Sequence, residues 1–167
     1  MMASLKFIDR ILLNALKAVT IISFILLTVL ITANVFVRFF PVVSLHWFDE
    51  IIELLYAYMV FYGAAALWIT REHISVGDWI SGTIVKNERI RHGYGLIVET
   101  LVLLFVVIFF YYSLQLTERA LDVTNVFAIP KKILYSCMPV AGAVMIVYSI
   151  RNVMVEMIGM IKPQQEG

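Results

Sequence analysis

The sequence predicts an all-α integral membrane protein with four transmembrane helices, both termini on the cytoplasmic side, and short amphipathic helices at the membrane surface. Three observations predict it. Of the 167 residues, 62% are hydrophobic and 15% charged, where soluble domains run near 45–50% and about 25%. Mean hydropathy is +0.91. The charges are also segregated: Ala18–Val37, Leu54–Thr70, Thr100–Thr117 and Ile133–Ile150 contain no Asp, Glu, Lys or Arg, so all 13 basic and 12 acidic residues lie between or beyond these runs.

A helix needs about 20 apolar residues to cross about 30 Å of hydrocarbon. On that measure residues 1–167 form one membrane domain with spans near 18–37, 51–70, 96–117 and 133–150. The first run follows the basic residues Lys6, Arg10 and Lys17, as a secretory signal would. Signal h-regions are only about 7–15 residues long and end in small residues, whereas this run ends Asn34-Val35-Phe36-Val37-Arg38, so it reads as a retained anchor. The second span opens with Glu53 close to its start, and the third, beginning near Tyr94–Leu96, carries Glu99 early. Both acids therefore sit within about a turn of the boundary, where a side chain can reach the interface. The fourth span contains Pro139 and Gly142, a kink or a close packing point. Leu5, Ile8, Leu12 and Leu16 form one helical stripe, as do Val76, Trp79, Ile80 and Ile84. These predict interfacial helices near 4–17 and 75–86. Trp47, Trp68 and Tyr94 stand where an aromatic belt would place them.

Orientation follows from basic residues counted by loop. The N-terminal segment, the 71–93 loop and the C-terminal tail hold nine Lys and Arg, against four in the 38–53 and 118–132 loops. The positive-inside rule then places both termini in the cytoplasm.

Composition also narrows function. A net charge of +1 leaves no excess of cations for nucleic-acid binding. Cys137 stands alone, so neither a disulfide framework nor a cysteine-based metal site is expected. His46, His73 and His92 lie outside the apolar runs and at no ligand spacing, which predicts no metal, haem or other cofactor bound by this chain. No catalytic residue is expected. Arg38 faces Asp49, Glu50 and Glu53 across a short connection, and one of these acids is expected either to pair with it or to meet a partner protein. Glu99 has a similar choice among Arg91, His92 and a partner. Gly63 and Ala64 to Ala66 form a small-residue patch that lets another helix approach closely. The chain reads as a membrane subunit that packs, orients and docks, surrounded by lipid or protein.

The run Asn34-Val35-Phe36-Val37-Arg38-Phe39 resembles the first-span ending of the small (DctQ-like) membrane subunit of TRAP transporters, the tripartite ATP-independent periplasmic transporters. Trp47-x-x-Glu50, Gly63-Ala64-Ala65, and Arg71-x-His73-Ile74-x-Val76 follow in the family's order. Ile129-Pro130, Tyr135, Pro139-Val140 and Gly142 resemble its fourth-span signature. The sequence departs from the pattern at Glu53, where a basic residue is frequent, and at Gly77, which separates Val76 from Asp78. The resemblance implies a bacterial inner-membrane complex in which a periplasmic binding protein captures an organic acid, a dicarboxylate or a sialic acid. A large membrane subunit then imports it, coupled to Na+. It implies that the small subunit braces the large one and helps dock the binding protein, with structural or docking roles for Arg38, Trp47, Glu50, Gly63, Arg71 and His73. Two other readings compete: the membrane anchor of a redox complex, and a stand-alone four-helix transporter.

Overall fold

The computed structural model describes residues 2–39, 47–70 and 88–161. Four helices make up nearly all of them: α1 (Met2–Arg38), α2 (Trp47–Thr70), α3 (Glu88–Arg119) and α4 (Lys131–Ile161). Each is long and apolar enough to cross a membrane.

Three helices outrun the apolar stretches that announce them. α1 is continuous for 37 residues, about 55 Å at 1.5 Å per residue, so the interfacial helix expected over 4–17 is the first part of this same rod. No Gly or Pro interrupts Met2–Arg38, and nothing else forces a bend where the apolar run starts. α3 begins at Glu88 rather than near Tyr94–Leu96. Gly93 and Gly95 do not stop it, and Gly95 lies where α4 comes close: a Cβ there would lie 3.1 Å from Glu156 Oε2. α4 runs three turns past Ile150, where its charged residues find partners on other helices. The second expected interfacial helix, 75–86, lies outside the described residues.

The backbones pack in the order α1, α2, α4, α3, with α2 and α4 in the middle. Lipid tails are as apolar as the side chains, so close approach rather than hydrophobicity selects helix contacts in a bilayer. Two glycines mark close approaches within the spans. A Cβ on Gly63 would sit 3.2 Å from Thr20 Cγ2, and one on Gly142 would sit 3.3 Å from Phe110 Cδ2. Ala65, Ala66, Val106 and Ala141 are buried between the helices and join Leu16, Met145 and Tyr148 in one core. Phe61 of α2 stacks on Phe109 of α3 at 5.8 Å between centroids. The outward faces of α1 and α3 stay open, with Phe24, Ile25, Val29, Leu101 and Phe105 among their exposed side chains.

Pro139 sits inside α4 and is buried. A proline has no N–H for the carbonyl four residues back, here Tyr135. Thr117 of α3 supplies a partial substitute: its single hydroxyl proton is shared between Ser113 O of its own helix at 2.8 Å and Tyr135 O at 3.3 Å. Membrane helices tolerate proline when a neighbour satisfies the freed carbonyl in this way.

Candidate functional site

Polar chemistry gathers at the two ends of the bundle. The loop end carries the start of α2 and the α3–α4 connection. Within that connection Thr124 N–H donates to Ile129 O at 2.9 Å, Lys131 N–H donates to Asp122 O at 2.9 Å, and Val123 bridges antiparallel to Pro130. The tip is closed by Thr124, whose carbonyl accepts from Ala128 N–H at 3.1 Å and whose Oγ1 accepts from Ile129 N–H at 3.1 Å. Ala128 adopts a φ of 51°, a left-handed conformation that costs a residue with a Cβ.

This tip is tied to α2. Glu50 Oε1 accepts from Val126 N–H at 2.6 Å and Oε2 accepts from Phe127 N–H at 3.2 Å. Trp47 stacks on Phe48 with centroids 4.2 Å apart and meets Phe127 edge-on at 6.3 Å. The first turn of α2 therefore grips the connection twice, once through a carboxylate and once through an indole. Glu50, Glu53, Thr124, Phe127 and Pro130 border a shallow notch between the two. Asp49 and Glu53 are exposed. So is much of the tip, with Leu121 81% and Phe127 46% accessible. Lys131 and Asp122 stand 4.0 Å apart with Asp122 82% accessible, a pair that contributes little.

The opposite, terminal end collects the start of α1, the end of α2, the start of α3 and the end of α4. Asp9 joins α1 to α4: Tyr148 donates its hydroxyl to Oδ1, and Arg151 Nη1 donates to Oδ2 at 2.8 Å. The Arg151 guanidinium also lies over the Tyr148 ring, 4.5 Å from its centroid. Trp68 Nε1 donates to the buried Ser149 Oγ at 2.8 Å, joining α2 to α4. His92 Nδ1 and Glu156 Oε2 are 2.8 Å apart, joining α3 to α4. Glycines make room for that last pair. A Cβ on Gly159 would fall 2.7 Å from His92 Cε1, and Gly95 lies beneath Glu156. Glu99 and Asn152 are also buried, at 6% and 1% exposure. The register that sets Gly95 against Glu156 and Gly159 against His92 puts the two at the same level.

The expected site residues are distributed unevenly over this picture. Trp47, Glu50 and Pro130 come together at the loop end, with Glu53 at the notch's edge and Asp49 facing outward. Glu50 meets backbone amides of the same chain, where pairing with Arg38 or a partner was expected. Arg38 closes α1, but its side chain, like Arg71 and His73, lies outside the described residues. Gly63 packs on Thr20 within the chain, so the small-residue patch is used internally. Pro139 and Gly142 lie on the α3–α4 seam. Glu99 is more than two helical turns into α3, which starts earlier than its apolar run, and it is buried against the bundle. Trp68 points into the bundle and not into an aromatic belt. Sequence reasoning missed Asp9, Tyr148 and Arg151: Asp9 lies off the apolar stripe of α1 and reads as a solvated charge. The proline offered a signal that can be read in advance, since its position alone names Tyr135 O as an acceptor in need of a donor.

Residues 27–158 match the family model described as the DctQ component of tripartite ATP-independent periplasmic transporters. No curated protein matches the chain. The match spans most of the sequence, and the chain belongs to this family: it is a multi-pass membrane component of a transporter, one that works alongside a large membrane subunit and a binding protein.

Proposed function

From that membership we propose that the chain is the fixed brace of a sodium-coupled importer of organic acids, such as dicarboxylates or sialic acids. It enlarges the scaffold against which the large subunit moves its cargo, and it offers its loop end to the periplasmic binding protein. The complex sits in a bacterial inner membrane with both termini of this chain cytoplasmic, which puts the loop end in the periplasm and the Asp9 cluster inside. Na+ and substrate bind in the large subunit.

The observation that carries the reading is the use made of the polar side chains. Asp9, Trp68, His92 and Glu50 each bond to another element of the same chain, so all four helices are stapled into a single block. A brace needs that internal stiffness. A body that hinges around a solute would keep such groups for the solute or for alternate partners. The order α1, α2, α4, α3 supports the same reading, since a broad block with two open apolar flanks suits a wide support.

Reconstitution tests it. Vesicles holding both membrane subunits, supplied with the binding protein and an inward Na+ gradient, should accumulate a labelled dicarboxylate or sialic acid. Vesicles holding this chain alone should accumulate neither. Accumulation by the chain alone would make it a transporter in its own right. The docking part has a separate test: Glu53→Lys together with Asp122→Lys, both exposed, should weaken capture of the binding protein while the membrane subunits still co-purify. Unaltered capture would remove docking from this chain's role.

A further inference from the structure

We propose that Glu50 is a positioning residue for the docking step: its carboxylate meets no partner and instead holds the Thr124–Ala128 turn in the one shape that the binding protein encounters. The inference rests on the docking reading above.

Three features of the geometry carry it. Both carboxylate oxygens are already committed, one to Val126 N–H and one to Phe127 N–H, across a separation of 76 and 77 residues. Two successive amides facing one side chain need an acceptor at both of its atoms, and a carboxylate provides this where an amide or hydroxyl does not. The neighbouring acids Asp49 and Glu53 point outward, so the α2 turn separates groups free to meet a partner from the one group turned inward. Finally, apart from the edge-on contact of Phe127 with Trp47, the turn has little else to hold it. Its internal bonds all come from Thr124, and Ala128 is in a left-handed conformation that persists only where surroundings enforce it. Glu50 supplies that enforcement from outside the loop. A loop fixed in advance loses less freedom on association than one ordered by its partner.

The experiment uses the purified complex of both membrane subunits in nanodiscs. Hydrogen exchange of the 123–129 amides is measured alongside the affinity of the fluorescently labelled cognate binding protein, for wild type, Glu50→Ala and Glu50→Gln. The expected result is faster exchange in the turn of Glu50→Ala and about three- to tenfold weaker capture. Glu50→Gln should fall between, since it keeps one acceptor but turns an N–H towards an N–H. Weaker capture with unchanged exchange would mean that the carboxylate touches the binding protein itself. That overturns the positioning role and leaves docking intact. Faster exchange with unchanged capture would overturn the positioning role, and the Glu53→Lys/Asp122→Lys pair then decides separately whether docking survives. Unchanged values of both would overturn the clamp. Loss of co-purification in both variants would also count against it, because the clamp acts on the loop and not on assembly.

Discussion

Asp9, Tyr148 and Arg151 show what a charge can do at the end of a membrane helix. Asp9 is partly accessible, yet it takes both a hydroxyl and a guanidinium, and the guanidinium in turn lies on the aromatic ring. Losing one hydrogen bond to a charged group costs about 1.5–3 kcal/mol when buried, and solvent access reduces that figure. Tyr148→Phe should therefore lower stability by about 1 kcal/mol, read as a modest fall in the melting temperature of the purified complex. Asp9→Ala should cost more, because it strands both donors. Thr117 makes a more selective case. Hydrogen bonds between membrane helices average about 0.6 kcal/mol and reach about 1.7, so Thr117→Val should cost an amount in that range. In a Pro139→Ala background, Tyr135 O regains an in-helix donor and the same substitution should cost measurably less. Equal costs in both backgrounds would show that Thr117 is not compensating for the proline.

Among elements, glycines sit at the α1–α2 and α3–α4 seams, where Gly63, Gly95, Gly142 and Gly159 are each answered by a side chain of the facing helix. Gly142→Leu should disrupt the α3–α4 seam, because Phe109 and Phe110 already fill the space a side chain would take. Gly159→Ala should behave like loss of His92: its Cβ would force the ring aside and break the contact with Glu156, and combining Gly159→Ala with His92→Ala should add little. Additive losses would mean that the glycine and the pair act independently. The helices themselves were readable from composition, since each apolar run lacks charge and each lies within one helix. The starts of α1 and α3 and the end of α4 were not readable. Charged residues such as Asp9, His92 and Glu156 look like the boundary of a span when only hydropathy is considered, but they continue the helix because partners on neighbouring helices satisfy them. Hydropathy was equally silent on burial: Glu99 and Trp68 are both turned into the bundle, Trp68 onto Ser149. At the candidate site, the sequence named Trp47, Glu50 and Pro130 without revealing that a loop more than 70 residues away unites them, because long-range pairing leaves no periodicity to detect.

For the whole molecule, staples at both ends join the four helices into one body. The loop end is held by Glu50 and Trp47. The terminal end is held by Asp9, Trp68 and His92. On the proposed reading the large subunit moves against this support, and the exposed flanks of α1 and α3 are the surfaces left for that subunit and for lipid. Stiffness of this block is the central claim, and paired spin labels measure it directly. With Cys137 replaced by Ala, labels at the exposed Phe36 on α1 and Leu121 beyond α3 report the width of the loop end. Labels at Phe7 and Ile158 report the terminal end. Both distance distributions should stay unchanged in the reconstituted complex when Na+ and transported substrate are added. A shift approaching one helical turn, about 5 Å, at either end would contradict the account and make this chain a moving part.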